Sequence, residues 1–160
     1  MVEPHVVTLR ATRAGDLDEL FRIRQDEEAV TMAAFTPEDI ADREAFDARW
    51  ERLRATPGAR LATIRADGVV VGDAGSWSDP DDGRMITYWV DRSHWRRGIA
   101  TRAMRLFLDT EPRPVRAHAA ADNAASIAVL GKLGFVEVGR DRGYANARGA
   151  EIEEIVLELR

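Results

Sequence analysis

None of the chain's 160 positions is a cysteine. That absence removes a disulfide framework, a thiolate nucleophile and a cysteine zinc site. No apolar run approaches the roughly 20 residues needed to span a bilayer. The opening stretch to Arg10 places Glu3, Pro4 and His5 where a signal peptide would carry its basic-then-apolar layout. The expectation is a cytoplasmic protein that does not cross a membrane. Basic charge is also short, with 23 Lys and Arg against 28 Asp and Glu and a net charge of −5. That balance disfavours nucleic acid as a partner, because phosphate-backbone binding needs a cationic surplus. There is no Walker loop, no dinucleotide fingerprint and no internal repeat. What remains is a chain of 45% hydrophobic and 32% charged residues, the balance of a folded globular protein. Its length predicts a single domain over residues 1–160.

The periodicity predicts a mixed α/β architecture. Val6 to Arg10 reads as a strand, and Leu17, Leu20, Phe21 and Ile23 as one face of a helix that follows Asp16. Glu27 to Thr36 has no clear period. Thr36-Pro37-Glu38-Asp39 then offers a cap, a first-turn proline and early acids, predicting a helix from Pro37 to about Ala55 with Ile40, Phe46, Trp50 and Leu53 on its buried face. Arg60–Arg65, Val69–Trp77 and Arg84–Asp91 read as three consecutive antiparallel strands, the first two joined by the hairpin turn Ala66-Asp67-Gly68. A helix from Gly98 to Asp109 and a strand from Val115 to Ala121 complete a βαβ crossover, which pairs its strands in parallel. A helix over Asn123–Leu133 and the strands Phe135–Arg142 and Glu151–Leu159 finish the chain.

Two segments carry chemistry. In the first, the strand through Trp89, Val90 and Asp91 enters a loop, and Trp95-Arg96-Arg97-Gly98-Ile99-Ala100-Thr101 opens a helix. A helix begun this way aims unpaired N–H groups and its positive dipole end at the loop, which makes an anion cradle. Gly98 and Ala100 lack bulk, and Arg96 and Arg97 add charge suited to phosphate. The second segment runs Asn123, Ser126, Leu130, Lys132, Leu133, Gly134, Phe135, in the pattern N-x-x-S-x-x-x-L-x-K-L-G-F.

Together these segments resemble the Gcn5-related N-acetyltransferase (GNAT) superfamily, and more closely its branch similar to ribosomal-protein N-terminal acetyltransferases. The resemblance implies a mostly antiparallel sheet with a splayed parallel strand pair, Arg84–Asp91 and Val115–Ala121, and flanking helices. It implies acetyl-CoA as co-substrate, held by Trp89, Val90 and Asp91 along the pantetheine, by Arg96, Arg97, Gly98, Ile99, Ala100 and Thr101 at the phosphates, and by Asn123, Ser126 and Lys132. Trp95 stands where the family has Gln or Arg. No metal is implied. The acetyl group would pass directly to a primary amine, on a small molecule or a protein N-terminus. Leu130 stands where many members carry a tyrosine acid, and Ser126 is the catalytic candidate in its place. Asp73, Thr87, Tyr88, His94 and His118 are candidates for a base, none preferred. The acceptor pocket would be built from Asp26–Thr36 and Arg142–Glu151, with carboxylates at Asp26, Glu27, Glu28, Glu151, Glu153 and Glu154. Two alternatives stay open: a non-catalytic acyl-CoA sensor, and an acyltransferase for another chain such as succinyl, for which Arg116 or Arg140 would have to reach the thioester. A homodimer through a terminal sheet edge is compatible with the fold.

Overall fold

In the computed structural model, which describes residues 2–160, the strands form one seven-stranded sheet. β1 (Val7–Ala11), β2 (Arg60–Ala66), β3 (Val69–Asp79) and β4 (Gly83–Val90) pair antiparallel in that order, β2–β3 and β3–β4 through tight turns and β1–β2 across a long helical connection. α4 (Ile99–Leu108) then carries the chain back over the sheet to β5 (Val115–Ala120), which lies parallel to β4. The antiparallel hairpin β6 (Val136–Ala145) and β7 (Ala150–Leu159) completes the order β1-β2-β3-β4-β5-β7-β6.

The parallel pair sets the shape of the molecule. β4 and β5 are in register only at Arg84↔Val115 and Met85↔Arg116. Beyond that point each strand stays bonded to its outer neighbour, β4 to β3 as far as Val90 and β5 to β7 as far as Ala120↔Glu154. A wedge therefore opens inside the sheet. Gly72 helps hold β3 against the free end of β4, because a Cβ there would sit 2.0 Å from the Trp89 carbonyl oxygen. Only glycine permits that approach.

The closed end of the wedge is clamped electrostatically. Glu111, in the α4–β5 connection, has a fully buried carboxylate that accepts from Arg84 Nε on β4 at 2.7 Å and pairs with Arg60 on β2. Burial works against its charge, yet the Arg84, Ser76 and Arg60 side chains hold the carboxyl below its ordinary range. One apolar face of the sheet packs on α4 and on α5 (Ala124–Lys132) through Met104, Phe107, Leu130 and Phe135, all nearly or fully buried.

The other flank departs from the sequence reading. A helix α1 (Leu17–Ile23) forms as expected, with Leu17, Leu20 and Ile23 buried. Where no period was legible, a seven-residue helix α2 (Glu27–Ala33) stands, capped by Asp26 accepting from the Ala29 amide at 2.9 Å. Only Ala29 is buried in it, so its sequence carries no apolar stripe. The helix expected from Pro37 begins instead at Arg43 (α3, Arg43–Ala55), because Asp42 takes the cap by accepting from the Ala45 amide at 3.1 Å. The Thr36 carbonyl is bound by the Asn146 side chain at 2.8 Å. No residue of α3 is buried, and Ile40, Phe46, Trp50 and Leu53 are half-exposed rather than core. The last hairpin turns over residues 146–149, a shorter loop than Arg142–Glu151.

The clamp yields a stability expectation. Glu111→Ala strands two arginines against a buried site and is expected to cost about 3–5 kcal/mol, a fall in Tm on the order of 10 °C by thermal circular dichroism. Since the folded-state carboxyl titrates low, the native protein holds this stability at neutral pH and loses it as pH falls through the carboxylate range, and the variant lacks that part of the acid dependence.

Candidate active site

The site grows from the end of β4. Asp91 follows the strand, and its carboxylate accepts from the Ser93 amide at 3.1 Å and from Arg22 at 3.2 Å. Burial opposes its charge, but the Ser93 backbone and side chain and Arg22 hold the carboxyl below its ordinary range. Trp95 turns back to donate its indole N–H to the Val90 carbonyl at 2.8 Å, pinning the loop to the strand. Arg96 and Gly98 both take positive φ, 62° and 72°, which aims the chain into α4 with Gly98 as its N-cap. Thr101 is the last residue before the first helical bond, from the Arg102 amide to the Gly98 carbonyl. The amides of Ile99, Ala100 and Thr101 therefore lie ahead of the helical ladder, at the positive end of the dipole.

A cleft of about 410 Å³ lies between this helix start, the splayed strand, α2 and α5. Of the residues expected to bind a co-substrate, Trp89, Val90, Arg96, Gly98, Ile99, Ala100, Thr101, Asn123, Ser126 and Lys132 all line it. Asp91 and Arg97 do not. Asp91 builds the loop, and Arg97 donates to the Val2 carbonyl at 2.9 Å. The lining includes Arg96, Lys132 and His94 and, among the described residues, no carboxylate. Such a wall accepts anions.

At the inner end of the cleft two hydroxyls meet. Asn123 caps α5 by accepting from the Ser126 amide at 3.2 Å, which fixes Ser126 in the first turn. The Ser126 hydroxyl is 2.8 Å from that of Tyr88 on β4. Burial pushes the Tyr88 phenol up, an effect the Ser126 bond partly offsets. Leu130, one turn further along α5, is buried in the core and contributes nothing here.

Tyr88, Trp89, Asn123 and Ser126 also line a second cavity, of about 510 Å³, on the α1–α3 side. Arg24 Nη2 donates to both oxygens of Asp73 at 2.7 and 2.8 Å, and its guanidinium lies 5.3 Å from the Trp89 ring centroid and 5.6 Å from that of Phe46. On the β5–β7 side, His118 Nδ1 bonds Glu154, and Nε2 lies 3.6 Å from Asp82. The Glu154 bond raises the imidazole pKa, against the desolvation of the half-buried ring. Of the candidate bases, Asp73, Thr87, Tyr88 and His118 line this cavity, while His94 lines the first cleft.

Of the carboxylates expected to receive an amine, only Glu154 lines the second cavity. Asp26 caps α2 and pairs with Arg92, as does Glu28, and Glu153 pairs with Arg140. The sequence reading missed the Tyr88–Ser126 and Arg24–Asp73 contacts. They join positions 38 and 49 residues apart, and only the strand register brings them together.

Residues 7–136 match the family model described as an acetyltransferase (GNAT) domain. The chain is 29% identical over 143 residues to the N-alpha-acetyltransferase RimI of Mycobacterium tuberculosis, covering 79% of this chain and 90% of that protein. Among solved structures it is similar to Mycobacterium smegmatis RimJ in complex with CoA-disulfide, with a TM-score of 0.79 and 25% identity over 96% of this chain and 81% of that one. It shares its fold with spermidine N-acetyltransferase from Vibrio cholerae, solved with CoA and spermine, at a TM-score of 0.81 and 15% identity over 96% of this chain and 94% of that one.

The His118–Glu154 contact can be read directly, since the chain has three histidines. Nitrogen-detected NMR titration is expected to show His118 titrating above the ordinary value of about 6.5, and Glu154→Gln to bring it down. The contact stabilises the fold below the ordinary histidine pKa, and this contribution is lost as pH rises through the raised one.

Proposed function

The chain belongs to the GNAT acetyltransferase family, and we propose that it acts as one cytoplasmic domain that transfers the acetyl group of acetyl-CoA to a primary amine by direct attack in a ternary complex. The observation that carries this reading is the meeting of two cavities of different character at the Tyr88–Ser126 pair. One is cationic and opens on a helix N-terminus; the other is lined by aromatic side chains and internally paired charges.

The residues suit the co-substrate. Gly98 has an open approach, since a Cβ there would meet only the Glu3 carboxylate, at 3.7 Å and beyond. The amides of Ile99, Ala100 and Thr101, with Arg96 and Lys132, would hold the diphosphate. The edge of β4 that faces the wedge, near Trp89 and Val90, would bond the pantetheine amides as a missing strand would. Acetyl-CoA, when bound, supplies an electrophilic thioester carbonyl. The protein's part is to hold the amine in line with that carbonyl and to deliver a proton to the departing sulfur. Ser126 is the proton donor in this reading, with its hydroxyl oriented by Tyr88.

An acidic acyl chain finds less support. Arg116 is bound to Glu158 and Asp82, and Arg140 to Glu137 and Glu153. A dimer through the edge strand β6, where Val136, Val138 and Tyr144 are exposed, is compatible with this reading.

Calorimetric titration of acetyl-CoA is expected to show binding that Gly98→Trp abolishes while the variant stays folded; no heat with the native protein overturns the reading. Ser126→Ala is expected to lower kcat by about a hundredfold and leave acetyl-CoA affinity unchanged. Loss of binding in that variant would instead make Ser126 part of the co-substrate cradle.

A further inference from the structure

The charges around the second cavity narrow the acceptor, given the acetyl-transfer reading above. Two carboxylates line it, and both are already matched. Asp73 is bound by Arg24 through both oxygens, and Glu154 by His118. A further cation, Arg49, lines the same space and is paired at 2.8 Å with Asp39, which does not line it. A ligand carrying several ammonium groups would find no unpaired carboxylate among the described lining residues, and desolvating each unmatched charge is costly. The aromatic faces are also partly taken. Arg24, which lines the cavity, lies over Trp89 and Phe46. A second cation cannot use those faces.

The apolar wall is extensive by comparison. Three of the four tryptophans, Trp50, Trp77 and Trp89, line the cavity, with Phe35 and Phe46 beside them. All are half-buried and present apolar surface to the cavity. A volume of about 510 Å³ is ample for a ring system with a short side chain.

We infer that the acceptor is a monoamine on a compact aromatic or apolar body, of the arylalkylamine class, and that polyamines are poor acceptors. The ring lies against Trp50 and Trp77, and the single amine points toward the Tyr88–Ser126 pair. The amine nitrogen forms the new C–N bond as the C–S bond of the thioester breaks. The ammonium first releases one proton to solvent; the free amine loses a second as the amide forms, and the sulfur gains one.

The test uses the native chain, calorimetry with acetyl-CoA, and thiol release with 2-phenylethylamine, spermidine and an alanine-led peptide as acceptors. Expected is a kcat/KM for 2-phenylethylamine at least about tenfold above that for spermidine or the peptide. Expected too is a change in tryptophan emission when 2-phenylethylamine is added to the CoA-bound protein. Trp50→Ala, on a helix with no buried residue, is expected to raise KM for 2-phenylethylamine about tenfold without altering acetyl-CoA affinity. Should that variant fail to fold, the emission titration of the native protein decides. Acetyl-CoA binding with spermidine or the peptide preferred, or with emission unmoved by 2-phenylethylamine, overturns this inference and leaves acetyl transfer standing. Absence of acetyl-CoA binding overturns acetyl transfer itself.

Discussion

β4 and β5 share two residue pairs and then part, each remaining hydrogen-bonded on its other side. A sheet ordinarily resists such a split, since unpaired backbone groups away from water are costly. Two features hold this one open. The Glu111–Arg84–Arg60 clamp fixes the closed end, and α5, capped by Asn123, projects Ser126 against Tyr88 further along. The exposed strand edge becomes useful because it presents backbone donors and acceptors to a ligand in place of a neighbouring strand.

The split also divides the electrostatics. On the α4 side, a left-handed glycine and a helix start gather positive charge without any lining carboxylate among the described residues. On the α1–α3 side, charges occur as internally matched pairs set among aromatic rings. An anion and an apolar amine would each find their own half, and the two halves meet at one pair of hydroxyls. Direct transfer between two bound molecules needs this arrangement, and it needs no covalent intermediate on the protein.

Local chemistry was readable from the sequence, and long-range register was not. The loop from Trp95 to Thr101 could be placed because glycine and small residues at a strand-to-helix turn have a direct backbone meaning. The resemblance supplied the splay, which no periodicity could show. Amphipathic spacing identified Ile40, Phe46, Trp50 and Leu53 as one face, but the same spacing serves a core or a cavity, and here it lines a cavity. The helix at Glu27–Ala33 was illegible because it buries a single alanine. Asp91 and Arg97 fell inside a binding motif by position, yet one builds the loop and the other anchors the chain near Val2. Tyr88 reaches Ser126 from a strand 38 positions away, and only the three-dimensional register shows the hydroxyl pair.

The open edge of β4 and the start of α4 together would hold the co-substrate, and amide hydrogen exchange with and without CoA reads both segments at once. The expected result is slowed exchange confined to Thr87–Val90 and Ile99–Thr101, with the β1–β2 amides unchanged. Unaltered exchange in both segments at saturating CoA, or protection appearing only along the β6 edge, would contradict it.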